Sequence, residues 1–275
     1  RIDLDIMDRN LARVAGYAAE HSLRLRPHTK THKIPALGRL QMELGAVGLT
    51  VAKTSEAEVM VKAEPGDLLI AYPVIGRQKL ERLARVAKST RVTVALDNLP
   101  ALEQLAEAAR ELNFEAGVYA EFDAGLHRVG VAPSGEDLLD LVRAILQKPK
   151  LEFRGVAFYP GHIKDVRVSP EEQMAALDRV VSQAVELLEA RGIAVPIVSG
   201  GSTPTLYQSH KVSRLTEIRP GTYIFNDRNT WLTGGCGLAD CAASILTTVV
   251  STAVPGQMIM DGGSKTFSSD RSALN

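Results

Sequence analysis

The stretch Arg91–Asp123, RVTVALDNLPALEQLAEAARELNFEAGVYAEFD, reads as a strand, a helix and a second strand. Val92–Asp97 is a short apolar run. "NLPALEQLAEAARELN" then repeats apolar residues at three- and four-residue intervals, and Ala116–Asp123 returns to an apolar run. A change from helical period to short apolar run and back is the pattern of βα units, whose strands pair in parallel.

The same unit extends in both directions. A first helix is expected at about Asp5–His21, and further strands near Leu23–Lys30, Val47–Ala52, Leu68–Tyr72, Phe153–Tyr159, Ala194–Ser199 and Thr216–Arg219. Helical patterns such as "RQKLERLARVAK", "SGEDLLDLVRAILQK" and "SPEEQMAALDRVVSQAVELLEARG" lie between them. Eight strands with a helix after most of them predict a closed parallel (β/α)8 barrel of the TIM type. The units recur about every 25 residues but share no side-chain motif, so they are not a solenoid repeat. Ser55, Ser134 and Ser169 mark helix starts, the last preceding Pro170 and two glutamates. After Pro220 the texture turns β-rich, in "CAASILTTVVSTAV" and "GQMIMDGGSKTF". This predicts a barrel over residues 1–220 and the start of a second, β-rich domain over 221–275. Both ends read as cut, because the chain opens on Arg1 and stops just after "DGGSKTFSSD".

Composition narrows the function. The chain has 275 residues, with 32 basic and 32 acidic side chains and no charged block. Nucleic acid is therefore not expected as a partner. No window approaches the ~20 apolar residues of a membrane span, and no leader is visible, so a soluble, cytoplasmic protein is expected. Cys236 and Cys241 read as reduced thiols; their C-x4-C spacing is half a zinc site at most.

The chemistry concentrates in three places. "LRLRPHTKTHK", Leu23–Lys33, puts cations where a buried strand is expected to be apolar. Alternation turns Arg26, His28 and Lys30 to one side, with Lys30 at the C-terminal rim where barrels keep their active sites. Unpaired buried cations are costly, so an anion is expected among them. If the protein itself supplies it, Glu121 and Asp123 are the candidates. "VSGGSTPT", Val198–Thr205, follows strand seven, and its Gly201, Ser202 and Thr203 bring N–H groups and hydroxyls to the start of the next helix. "IRPGTY", Ile218–Tyr223, adds Gly221 and Thr222 after strand eight. Loops after strands seven and eight commonly hold phosphate in barrels, and a rim lysine facing them suggests pyridoxal phosphate.

"RPHTKTHK", "EFDAGLHRVGV", "YPGH", "SGGSTPT", "EIRPGTYIFND" and "DGGSKT" together resemble the D-threonine aldolase and D-serine dehydratase group. That group lies within the alanine racemase-like, fold type III class of pyridoxal phosphate enzymes. The resemblance runs from Asp3 to about Asp270. It implies Lys30 as the Schiff-base lysine in preference to Lys33, and Arg128 as the arginine on the cofactor's phenolic side. It implies phosphate contacts from Gly201, Ser202, Thr203, Gly221 and Thr222. Arg219 matches the residue facing the pyridine nitrogen; an arginine there cannot readily accept a proton, leaving a neutral ring and a weaker electron sink. Tyr159 resembles an active-site tyrosine working near the substrate's Cα, with His162 close behind it, and His28 stands beside the lysine as a further catalytic candidate.

The resemblance implies a lyase acting on D-β-hydroxy amino acids, in the D-threonine aldolase manner, cleaving Cα–Cβ to give glycine and an aldehyde. D-serine or D-threo-3-hydroxyaspartate dehydratase is the alternative, followed by an amino-acid racemase and a non-catalytic pyridoxal phosphate protein. It also implies a homodimer and a divalent metal such as zinc, manganese or magnesium. The metal's His-x-Cys or His-x-Asp ligands are absent from the visible sequence and expected beyond Asn275, so no metal residue is assigned here.

Overall fold

The computed structural model describes residues 1–267. Its main sheet has eight strands: β1 (Arg24–Leu25), β2 (Leu49–Val51), β3 (Asp67–Ile70), β4 (Arg91–Leu96), β5 (Ala116–Glu121), β6 (Leu151–Ala157), β7 (Ile197–Gly200) and β8 (Glu217–Ile218). They run in the order β1-β8-β7-β6-β5-β4-β3-β2, every pair parallel. The two ends of this order meet. Val47 and Thr50 donate backbone N–H bonds to Leu25 and Pro27, each at 2.8 Å, and the Thr50 hydroxyl donates to the Arg26 carbonyl at 3.0 Å. A parallel bridge between His28 and Thr50 completes the closure. This is the barrel that the strand spacing predicts.

The helices α1 (Leu4–Glu20), α2 (Pro35–Glu43), α3 (Thr54–Met60), α4 (Arg77–Ala87), α5 (Leu99–Glu111), α6 (Glu136–Leu146) and α7 (Pro170–Glu189) follow the expected patterns. On α5 the buried residues are Ala101, Leu102, Leu105, Ala108 and Ala109, the stripe that three- and four-residue spacing draws on one face. Leu83, Leu105, Val142 and Leu188 of the helices join Val94, Val118 and Val156 of the strands in one apolar layer outside the barrel. Each such side chain contributes about 1.5–3 kcal/mol relative to exposure.

Helix starts are set differently from the serine pattern. The N-cap of α3 is Lys53, leaving Ser55 inside the helix, and that of α6 is Gly135, one residue past Ser134. Ser169 does stand at the N-cap of α7, but its side chain makes no capping bond. Pro170 at the first helical position needs no N–H acceptor, which makes the start favourable without it.

The first strand is shorter than Leu23–Lys30. Regular strand ends at Leu25; Pro27 has no N–H to give, Arg26 and His28 still donate to Ile218 and Pro220, and Thr29–Thr31 turns into a 3-10 helix. Lys30 thus sits on a turn just past the strand.

The barrel interior is layered. At the N-terminal ends of the strands Arg26 is only 1% exposed, its Nε 2.9 Å from Glu217 and its Nη1 3.0 Å from Asp67. Arg154 reaches Asp67 at 2.6 Å, and Thr93 donates to Asp67 at 3.1 Å. These partners replace the expected pairing with Glu121 and Asp123, which lie at the opposite ends of the strands. Above this floor Leu69, Ala95, Tyr119 and Ala157 form a small apolar plug.

After β8, residues 222–243 hold short helical turns that the sequence reading did not foresee. Helix α8 (Arg228–Leu232) is capped by Asp227, which accepts from the Thr230 N–H at 2.7 Å. This segment is tied to α1, where Asn10 donates to the Asp240 carbonyl at 2.8 Å and Arg13 pairs with Asp240 at 3.1 Å. The antiparallel pair β9 (Val249–Ser251) and β10 (Ile259–Met260) falls inside the two segments read as β-rich. The last part of that reading, 268–275, lies outside the described residues. Cys236 and Cys241 are free thiols. Among the described residues no helix is long and apolar enough to cross a membrane.

Replacing Arg26 by alanine strands two buried carboxylates, and removing one member of a buried ion pair costs about 3–5 kcal/mol. Equilibrium urea unfolding of Arg26→Ala should show a loss of that size; a loss below about 1 kcal/mol, the scale of an exposed pair, would contradict the role given to this layer.

Candidate active site

A cavity of about 640 Å3, measured with its open mouth, lies at the C-terminal ends of the strands. It is lined by His28 and Lys30 after β1, Glu121 at the end of β5 with Arg128 beyond it, and Tyr159 after β6. Gly201, Ser202 and Thr203 enter after β7, and Arg219, Gly221 and Thr222 after β8. Every site residue read from the sequence therefore lines one cavity. Ala71, Pro204 and Glu121 line it as well, and Glu121 was expected only as an ion-pair partner.

Lys30 keeps access to solvent, yet enough protein surrounds it for burial to lead in holding its ammonium below the usual lysine value. The charge of Arg128 acts in the same direction, Glu56 opposes, and Arg219 adds a smaller push downward. Its Nζ lies 6.0 Å from the centre of the Tyr159 ring, and the Arg128 guanidinium lies 5.0 Å from the same centre. Two cations thus approach one aromatic ring. Lys33 turns elsewhere and pairs with Glu56 at 3.4 Å.

Burial, and then the charges of Lys30 and Arg219, hold His28 well below the ordinary histidine range, so its ring is neutral. Its Nδ1 accepts the Lys30 backbone N–H at 3.3 Å, which puts the ring proton on Nε2. His32 is engaged outside the cavity, its Nδ1 accepting from the Ile34 N–H at 3.0 Å and its Nε2 3.3 Å from Gln41 Oε1. His162 packs against Gly125 and does not line the cavity. Asp123 is taken up locally, accepting the N–H groups of Gly125 and His127 and pairing with His127 Nδ1 at 2.7 Å.

Arg219 is buried and anchored. Its Nη1 donates to Ser199 Oγ at 3.0 Å and its Nη2 to the Phe158 carbonyl at 2.9 Å. Ser199 in turn donates to Glu217 at 2.7 Å, so the cavity arginine is linked to the floor of the barrel through one hydroxyl.

The two glycine-rich loops meet at Thr203, whose hydroxyl accepts the N–H groups of Gly221 at 3.2 Å and Thr222 at 3.1 Å. Ser202 and Thr205 pair through their hydroxyls at 3.0 Å. The N–H groups of Gly201, Ser202 and Thr203 have no acceptor among the described residues. A side chain at Gly221 would place its Cβ 3.0 Å from the His28 carbonyl, tighter than such contacts usually are, so a bare position suits the close approach of this loop to the turn that carries Lys30. The expected helix after Thr203 is a 3-10 helix, Leu206–Lys211.

Residues 2–229 match the family of the alanine racemase N-terminal domain. The chain belongs to this family. Two relatives of the alanine racemase-type chain are a 3-hydroxy-D-aspartate aldolase from Paracoccus denitrificans and a D-threo-3-hydroxyaspartate dehydratase from a Delftia species. The first is 34% identical over 98% of this chain and 72% of its own length. The second is 33% identical over 98% of this chain and 72% of its own length. The crystal structure of D-threonine aldolase from Filomicrobium marinum superposes with a TM-score of 0.86 at 32% identity, covering 95% of this chain and 72% of that one.

The alanine racemase-type barrel implies pyridoxal phosphate, and the residues present fit it. A lysine with a depressed ammonium, the N–H groups of Gly201, Ser202 and Thr203 without acceptors among the described residues, and two arginines all line one cavity. Among the described residues no group of three or more His, Cys, Asp or Glu side chains is placed to hold an ion.

A depressed amine is neutral, and therefore nucleophilic, at lower pH than an ordinary lysine, and it loses that reactivity only as pH falls through its lowered value. Trapping pyridoxal phosphate on the protein with borohydride at pH 7 should therefore label Lys30 ahead of surface lysines, as read by peptide mass mapping. Arg128→Ala should reduce the preference by removing a like charge. Label spread evenly over surface lysines would refute the assignment.

Proposed function

We propose that this chain is a pyridoxal phosphate-dependent lyase acting on D-β-hydroxy amino acids, in the manner of a D-threonine aldolase. The observation that carries the reading is that Lys30 and the Thr203 cradle line one cavity, in which three cations meet one buried carboxyl. The relatives named above act on D-amino acids bearing a β-hydroxyl, which supports the substrate class.

In this reading Lys30 would hold the cofactor's aldehyde carbon through Nζ, and the N–H groups and hydroxyls of Gly201, Ser202, Thr203, Gly221 and Thr222 would hold its phosphate. Pyridoxal phosphate, when bound, supplies a sink for the electron pair left at Cα. The chain's own residues do the rest. Arg128 and Arg219 would offset the negative charge of the bound anions, and burial strengthens that effect at Arg219. The network from Arg219 through Ser199 fixes one guanidinium in place before any ligand arrives, so little reorganisation is needed. Lys30 Nζ would also be available as a base or acid at the reacting carbon, with the Tyr159 ring centre 6.0 Å away. Neutral His28 offers its Nε2 proton as a hydrogen bond and not as a charge.

Cleavage of Cα–Cβ after loss of the β-hydroxyl proton gives the aldolase outcome, and loss of the Cα proton followed by hydroxide departure gives the dehydratase one. The Delftia relative, a dehydratase, keeps the second outcome as the alternative. A divalent metal assisting at the β-oxygen, a boundary near Pro220 with a β-rich second domain over 221–275, and a homodimer belong to the same proposal. In support of a dimer, Ile34, Tyr72 and Ile75 stand exposed on rim loops after β1 and β3.

Full-length protein should bind pyridoxal phosphate with a visible absorption band that is lost in Lys30→Ala, together with about 10^3-fold of activity, the scale of a lost acid–base group. With D-threonine, with and without a divalent metal, the expected products are glycine and acetaldehyde. Pyruvate from D-serine would select the dehydratase outcome. No band with excess pyridoxal phosphate would remove the enzyme reading altogether.

A further inference from the structure

Glu121 ends β5 inside the cavity, and its position is unusual for a carboxyl. The residue is 4% exposed, its Oε2 is buried without a hydrogen-bond partner, and it forms no ion pair among the described residues. Buried polar groups in folded proteins are nearly always partnered, and an orphan at a cavity wall is either an unexplained cost or a group waiting for an occupant. The neighbourhood favours the second. The charged groups acting on it are Arg219 from β8, Arg128 from beyond β5 and Asp97 from the end of β4; Lys30, His28 and Tyr159 share its cavity. Asp97 is engaged elsewhere, accepting from Gly130 N–H at 2.8 Å and from Asn98 at 2.7 Å. Both arginines lie beyond ion-pairing distance of Glu121, so neither supplies the missing partner.

We propose that Glu121 is a further ligand-binding residue of this site, its buried carboxyl taking its missing hydrogen bond from the pyridoxal phosphate that occupies the cavity. The inference rests on the pyridoxal phosphate reading given above. It goes beyond that reading by adding a contact from β5, a strand that otherwise supplies no group to the cavity. The carboxyl acts as the neutral acid. Burial leads in pushing it above the ordinary carboxylate range, and the charge of Asp97 adds to the push, against Arg219 and Arg128. An incoming phosphate ester offsets the field of those arginines and favours the neutral form further. A protonated carboxyl both donates and accepts, as an amide does, and a leucine of similar volume does neither.

The test uses the full chain, its Glu121→Gln and Glu121→Leu variants, and pyridoxine phosphate, which lacks the aldehyde and so cannot react with Lys30. Fluorescence titration gives the affinity, and thermal unfolding with and without the probe gives folding and binding together. Glu121→Leu is expected to unfold, without the probe, at the wild-type temperature or higher, because it removes an unsatisfied buried group. It should nevertheless bind the probe at least about tenfold more weakly. Glu121→Gln should stay within about threefold of wild type. As pH rises, wild type should lose affinity through ionisation of Glu121, on a limb that Glu121→Gln lacks. Wild-type affinity in Glu121→Leu, or equal weakening in both variants, would overturn the proposal. If Glu121→Leu fails to fold, identical pH limbs in wild type and Glu121→Gln would overturn it instead. A wild-type chain that responds to neither pyridoxine phosphate nor pyridoxal phosphate would sink the cofactor reading itself, and the Glu121 contact with it; a response in wild type leaves the two separable.

Discussion

The guanidinium of Arg26, held between Asp67 and Glu217 at the bottom of the barrel, fixes more of this structure than its size suggests. A barrel interior has to be filled, and here its lower layer is filled by charge, with Arg154 and Thr93 completing the bonds of Asp67. Once Glu217 is committed to Arg26, its other oxygen accepts from Ser199 and from Tyr119 at 3.3 Å. Ser199 is then oriented to receive Arg219. One chain of bonds therefore runs from the floor to the active cavity, bypassing the small apolar plug. Apolar packing of equal volume in place of such a buried pair is often as stable or more so, which makes placement of Arg219 the more economical explanation for keeping it.

Charge is distributed in the barrel by height. The floor is neutral in sum, with Arg26 and Arg154 facing Asp67 and Glu217, whereas the cavity holds Lys30, Arg128 and Arg219 with Glu121 as the one carboxyl on its lining. The overall balance of 32 basic and 32 acidic residues hides this asymmetry. Attraction for an anion is consequently local to the cavity, and screening by salt acts least where the groups are most buried.

What was legible in the sequence was what strand ends dictate. A residue just past a parallel strand faces the rim of the barrel whatever its partners are, so Lys30 and Thr203 could be assigned to one cavity from local pattern, whereas Tyr159 and Arg219 came only with the family resemblance. Pairing was not legible in the same way. Arg26 bonds to residues 41 and 191 positions away, and choosing Asp67 and Glu217 over Glu121 and Asp123 requires knowing height within the barrel. Strand length was overestimated at β1 because its apolar and cationic alternation continues to Lys30, whereas the backbone bonds to its neighbours end at His28 and Thr29–Thr31 is a 3-10 helix. The serine caps failed for a related reason: Ser55 and Ser134 have the right chemistry one or two residues away from where the backbone turns. The helical turns between residues 222 and 243 are too short to show a period, and contacts with α1 hold them.

Thr203 gives the cradle a property beyond ligand binding. Its hydroxyl already occupies the N–H groups of Gly221 and Thr222, so the two loops are joined by internal bonds independent of any phosphate. A phosphate that recruits these donors exchanges one oxygen acceptor for another. The net gain is smaller than the tally of new bonds, since the old ones are given up. In return, a newly synthesised chain can finish folding at this corner of the barrel before it meets its cofactor, and loading becomes a substitution within a finished frame.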